Sequence, residues 1–150
     1  MIATSVTYDL VFLVHVLAAV TTLTVLITMR MSAQQIAKGA DSATQQRRFP
    51  LRRNWAARLL HVLPVTGLVM SLTGDHTVSL TRPWIGVGLL CYLAAAGHLE
   101  ARTLPQERLV AEVIHHDGVA PPDRGRALGR SVDTLLALVG VALLAMVVQF

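Results

Sequence analysis

The chain has 150 residues, 53% of them hydrophobic and only 15% charged, with a formal net charge of +4 and a pI near 10.2. A soluble domain of this size carries roughly a quarter charged residues, so the composition predicts an integral membrane protein. The basic residues sit in two stretches between apolar runs, which argues against nucleic acid as a partner. The single cysteine, Cys91, excludes an internal disulfide, a thiolate zinc site and covalent CxxCH haem attachment.

The N-terminus has neither a basic n-region nor an A-x-A-like cleavage site, so Met1 onward is read as mature chain. A spanning helix needs about 20 apolar residues. The first span is predicted over residues 8–29 and the second over 55–73, with Arg58 snorkelling to the interface. Pro64 is expected to kink the second span, and Thr66 to help satisfy the carbonyl it frees. The third span, 83–99, opens on Pro83 at a first-turn position, and the fourth covers 132–150. Tyr8, Trp55 and Trp84 fall near span ends, as interfacial aromatics do. Between the third and fourth spans, Leu109, Val110, Val113 and Ile114 predict a short amphipathic helix over Pro105–His116, lying on the inner surface. The stretch VAPPDRGR after it reads as turn and linker.

Charge sets the orientation. Residues 30–58 hold seven basic side chains against one acid, Asp41, and residues 100–130 hold five arginines against five acids. The loop TGDHTVSLTR between the second and third spans holds Arg82 alone. Twelve of the thirteen basic residues therefore lie on one side, which the positive-inside rule makes cytoplasmic. The expected fold is all-α: one transmembrane four-helix bundle over 1–150 with both termini outside. The arginine-rich RRFPLRRN suits anionic lipid headgroups, or acts simply as a topology determinant.

Ionisable groups inside spans are expensive and mark candidate sites. Here they are His15, Arg58, His61, His98 and Asp133. Counting about 1.5 Å per residue puts His15 roughly 10 Å below the outer face, and His61 and His98 at roughly 8–9 Å above the inner one. Asp133 and Arg58 lie near the same inner layer. Two imidazoles at one height on neighbouring helices suit the axial positions of a b-type haem, with Arg58 or Arg102 pairing its propionates. Ala94, Ala95, Ala96 and Gly97 would admit a macrocycle or a partner helix. His15 is too far in depth to share that iron, and Met70 lies at its own level as a possible second ligand. Against every one of these stands the plain alternative of interhelical hydrogen bonding without chemistry.

His15, Val16 and Leu17 early in the first span, Arg30 closing it, and Pro64, Thr66 and Gly67 in the second resemble an uncharacterised family of four-span integral membrane proteins. That family is similar in turn to the copper-resistance D-like proteins and the bacterial membrane protoporphyrinogen oxidase. The resemblance implies a haem-associated bundle of the bacterial inner membrane, with His15 at the position of the oxidase's first-span haem ligand. The oxidase's intramembrane lysine has no counterpart, since the sole lysine, Lys38, lies in a loop. Haem binding, rather than porphyrinogen oxidation, is what carries over.

Three functions follow as expectations. The first is a haem b protein passing electrons or sensing redox state, alongside a quinone or a larger respiratory assembly. The second is a cofactor-free accessory subunit or homo-oligomer, which faces such as GVGLL and LAAAGH suit. The third is metal or small-solute transport, which four short spans enclose little volume to support. Nothing in the sequence matches a nucleophile elbow, a P-loop or HExxH.

Overall fold

Helix α1 runs unbroken from Ile2 to Ala37, 36 residues, or roughly 54 Å against a hydrocarbon core of about 30 Å. Nothing stops it at Arg30, because Met31–Ala37 holds good helix formers and no glycine or proline. It ends where Gly39 takes φ 77°, with the Gly39 N–H donating to the Ile36 carbonyl and the Ala40 N–H to that of Gln35. The computed structural model describes residues 2–51, 54–73 and 82–148. Most of the expected outer loop, residues 74–81, lies outside the described residues, as do Arg52, Arg53 and the last two positions of the fourth span.

Asp41 caps the short helix α2, Ser42–Arg48, accepting from the Thr44 backbone N–H. Asn54 then caps a 3-10 turn over Ala57–His61, its side-chain oxygen taking the Ala57 N–H. At Val62 the backbone becomes helix α3, Val62–Thr73. The change of winding comes just before Pro64, whose ring crowds the preceding turn, so the expected kink takes the form of a 3-10 to α junction. Helix α4, Pro83–His98, carries Pro83 in its first turn. A π turn, Leu99–Thr103, joins it without a break to α5, Leu104–Asp117. Gly118, at φ 83°, ends α5, and α6 runs from Pro122 to Val148.

Two sequence expectations are corrected here. The PDRGR stretch is not linker: α6 begins at Pro122, and Gly125 and Gly129 are buried helix positions. The amphipathic segment does not stand as a separate helix. It continues α4, and its buried residues Val110, Ala111 and Ile114 face protein, since α5 packs on α2 and α6.

Helix α1 packs on α6, α3 and the 3-10 turn; α6 packs on α1 and α4; the 3-10 turn reaches α4. The tightest seam is α1 on α6. A Cβ at Gly125 would stand 2.6 Å from the Ala37 nitrogen and 2.7 Å from the Ala33 oxygen, so only glycine lets the two backbones approach this closely. Leu26, Ile36, Leu60, Leu99, Leu128 and Leu135 are fully buried along these seams. At the polar end, Ser42 donates to the Gly118 carbonyl, and buried Gln45 takes the Ala120 N–H at 2.8 Å, tying α2 to the turn before α6.

The described residues are helical throughout, apart from turns and connections. Val6–Ala37, Pro83–Asp117 and Pro122–Val148 are each long and apolar enough to cross a membrane, and Ala57–Leu72 is a shorter apolar helix. Leu10, Leu13, Leu17, Leu90 and Leu144 stay exposed on them, the surface expected of a membrane protein.

Candidate functional site

His15 faces α3 and is half-buried. Its Nδ1 lies 2.7 Å from the Thr66 hydroxyl, which is itself 2.8 Å from the Val62 carbonyl and 3.2 Å from that of Leu63. A hydroxyl has one proton, and a carbonyl can only accept. In the tautomer where that proton goes to the helix backbone, Thr66 receives the Nδ1–H of His15 and Nε2 carries the lone pair. A histidine whose inner nitrogen is held by a second group while the outer one carries a lone pair is arranged as metal-ligating imidazoles are. Gly67 lies alongside, where a Cβ would meet His15 Cε1 at an ordinary 3.7 Å. Met70, four residues on from Thr66, lies on the same side of α3.

The other two histidines are engaged differently. His98 Nε2 lies 3.0 Å from the Ser131 hydroxyl and 3.2 Å from the Ser131 carbonyl, and that hydroxyl is 2.8 Å from Thr103 Oγ1. In an α-helix, positions five apart diverge by roughly 140°. The wider π turn brings His98 and Thr103 onto one face, so both reach Ser131. His61 is exposed, its Nδ1 3.0 Å from the Arg58 carbonyl and its Nε2 3.8 Å from Glu100. The contacts of His98 run toward α6 and those of His61 toward its own turn and Glu100 of the π turn. Among the described residues, no three of His, Cys, Asp and Glu gather where they could hold a metal ion.

Arg58, expected to meet a propionate, makes a bidentate pair with Glu100 at 2.7 and 2.9 Å, its guanidinium 5.4 Å from the centre of the Trp55 ring. Glu100 is the partner the sequence reading missed; the signal was an acid closing the third span at the depth of Arg58. Asp133 pairs with Arg30 across the α1–α6 seam, and Arg102, in the π turn, is exposed. The Arg58–Glu100 pair also forms one wall of an open cleft of about 670 Å³ between Phe49, Pro50, Leu51 and Asn54 on one side and α5 on the other. There Asn54 donates to Glu107 at 2.9 Å.

Comparison with models of protein families, with curated proteins and with solved structures finds no match to this chain.

Proposed function

We propose that the chain is a four-span protein of the bacterial inner membrane, with both termini outside, that holds a b-type haem through His15. In this reading it passes electrons, or serves as a redox-active accessory of a larger respiratory complex, with a quinone as a possible neighbour. The charge asymmetry of the two long connections supports the orientation. Ala57–Leu72, though short, packs beside α1 as the fourth spanning element.

The haem assignment is carried by one observation, the 2.7 Å contact of His15 Nδ1 with the Thr66 hydroxyl, read in the tautomer that leaves the lone pair on Nε2. The donor chemistry suits iron, since a neutral imidazole with its far nitrogen held is a haem ligand. His98 is weaker in that role, because its Nε2 is already engaged by Ser131. Arg58 is weaker as a propionate partner, because Glu100 neutralises it. Bound haem would supply one-electron chemistry at the iron. The chain's own part is to fix the imidazole through Thr66 at the α1–α3 contact, within an apolar layer.

Visible spectra of the detergent-purified protein, oxidised and dithionite-reduced, test this. Haem should bind, His15→Ala should abolish the Soret band, and Thr66→Val should weaken retention while His61→Ala and His98→Ala leave the band in place. Loss of the band in His61→Ala or His98→Ala, with His15→Ala unaffected, would move the ligand to the inner layer. A preparation that stays colourless after hemin is added would favour the cofactor-free accessory subunit.

A further inference from the structure

The Thr103–Ser131 contact fixes how α6 and the π turn face each other. The two run antiparallel, since Gly88 lies against Met146 at one end and His98 against Ser131 at the other. Arg102 and Arg130 each precede a member of that contact pair. Stepping back one residue turns a helix by roughly 100°, and on antiparallel helices the two turns carry both side chains to the same side of the seam. Arg126, one turn before Arg130, lies on that side too. All three are exposed, and none has an ion-pair partner among the described residues.

The neighbouring acids do not cancel them. Asp133 is paired with Arg30 on α1. Asp123 lies on the same side of α6 as the arginines, two turns further from the apolar segment than Arg130. Three guanidinium groups against one carboxylate leave a basic face at the polar edge.

Beyond the arginines, the same face turns apolar and stays open. Val141, Leu144 and Val148 of α6 and Leu90 of α4 are 47%, 64%, 64% and 68% exposed. The face is therefore amphipathic along its length, cationic at the edge of the apolar segment and aliphatic within it. We propose that this seam is a binding site for an anionic diacyl phospholipid of the inner leaflet. Its phosphate lies between Arg102 and Arg130, Arg126 adds charge, and an acyl chain runs along Val141, Leu144 and Leu90. Guanidinium groups suit this role because they pair with phosphate oxygens through two N–H donors at once. A free phosphate uses the arginines but gains nothing from the aliphatic face, and that combination points to a lipid.

Native mass spectrometry of the full-length protein in detergent, titrated with phosphatidylglycerol or phosphatidylcholine, tests the site. Wild type should retain phosphatidylglycerol roughly tenfold more tightly, the scale of one to two surface arginines acting on an anionic headgroup. Arg102→Gln with Arg130→Gln should bring the two lipids to near equality, Arg102→Lys with Arg130→Lys should restore part of the preference, and Arg47→Gln with Arg48→Gln should keep it. All four positions are exposed, and unchanged far-ultraviolet circular dichroism confirms the fold. Equal retention by wild type, or equal loss in the Arg47/Arg48 variant, would overturn the proposal in favour of diffuse attraction. Displacement of the lipid by millimolar inorganic phosphate would overturn it in favour of a free-anion site.

Discussion

Placing a methyl group at Gly125 tests the α1–α6 seam most directly. The added Cβ would stand 2.6 Å from the Ala37 nitrogen, 2.7 Å from the Ala33 oxygen and 2.8 Å from Ile36 Cβ. Two of those atoms are backbone and cannot rotate away, so the helices must part by most of an ångström. Overpacking of this kind costs about 1–3 kcal/mol. Alanine returns about 0.5–1 kcal/mol through helix propensity, leaving Gly125→Ala destabilised by up to about 2.5 kcal/mol. Gly129 and Gly140 are the controls. At Gly129 the nearest atom is Arg30 Nη1 at 3.4 Å, the mobile end of a side chain, and at Gly140 nothing lies within 4 Å. Both alanine variants should be neutral or stabilised by up to about 1 kcal/mol. Denaturation by sodium dodecyl sulfate in mixed micelles, followed by circular dichroism, measures all three. If Gly125→Ala tracks Gly140→Ala, the close approach of the two backbones is wrong.

Ser131→Ala removes the shared partner of His98 and of fully buried Thr103, so the same denaturation should show a loss of about 1–3 kcal/mol, and Ser131→Thr should recover part of it. The Asp41 carboxylate is held below the ordinary carboxylate range by the Thr44 hydroxyl and backbone N–H. Its contribution to α2 is therefore present above the unfolded value, about 4, and lost as pH falls through the lower folded value. Thermal midpoints of wild type and Asp41→Ala should differ at neutral pH and converge below about pH 4.

The apolar runs and the sites of the charged stretches were legible from hydropathy alone, because burying a spanning helix in lipid demands them. What hydropathy could not give is where a helix stops. A window ends where charge begins, yet α1 continues past Arg30 to Ala37, and α6 starts ten residues before its apolar run. VAPPDRGR looked like turn and linker because proline and glycine break helices in water. The reason it holds one here is α1, roughly ninety residues earlier in the chain, and no local pattern carries that. At the site, counting residues put His61, His98, Arg58 and Asp133 at a similar level, and Arg58, His98 and Asp133 find their partners Glu100, Ser131 and Arg30 in the same part of the bundle. Direction was not legible. The π turn realigns His98 with Thr103, and its extra residue per turn has no signature in LEART. Thr66 was read as relieving the proline; its bond to His15 depends on the pairing of α1 with α3.

Because α1 crosses from the apolar layer to the polar end as one rod, the Gly125 crossing at Ala33 acts as a fulcrum. The arm on the far side, from Ala33 back to Leu10, is roughly 35 Å long, and the near arm to Ala37 only roughly 6 Å. A tilt that shifts Ala37 by a fraction of an ångström sweeps Leu10 several times further. His15 rides roughly three-quarters of the way out on the long arm, so its fit against Thr66 is geared to whatever holds the short one. That hold is Gln45 and Ser42, pinning the following helix to the turn before α6.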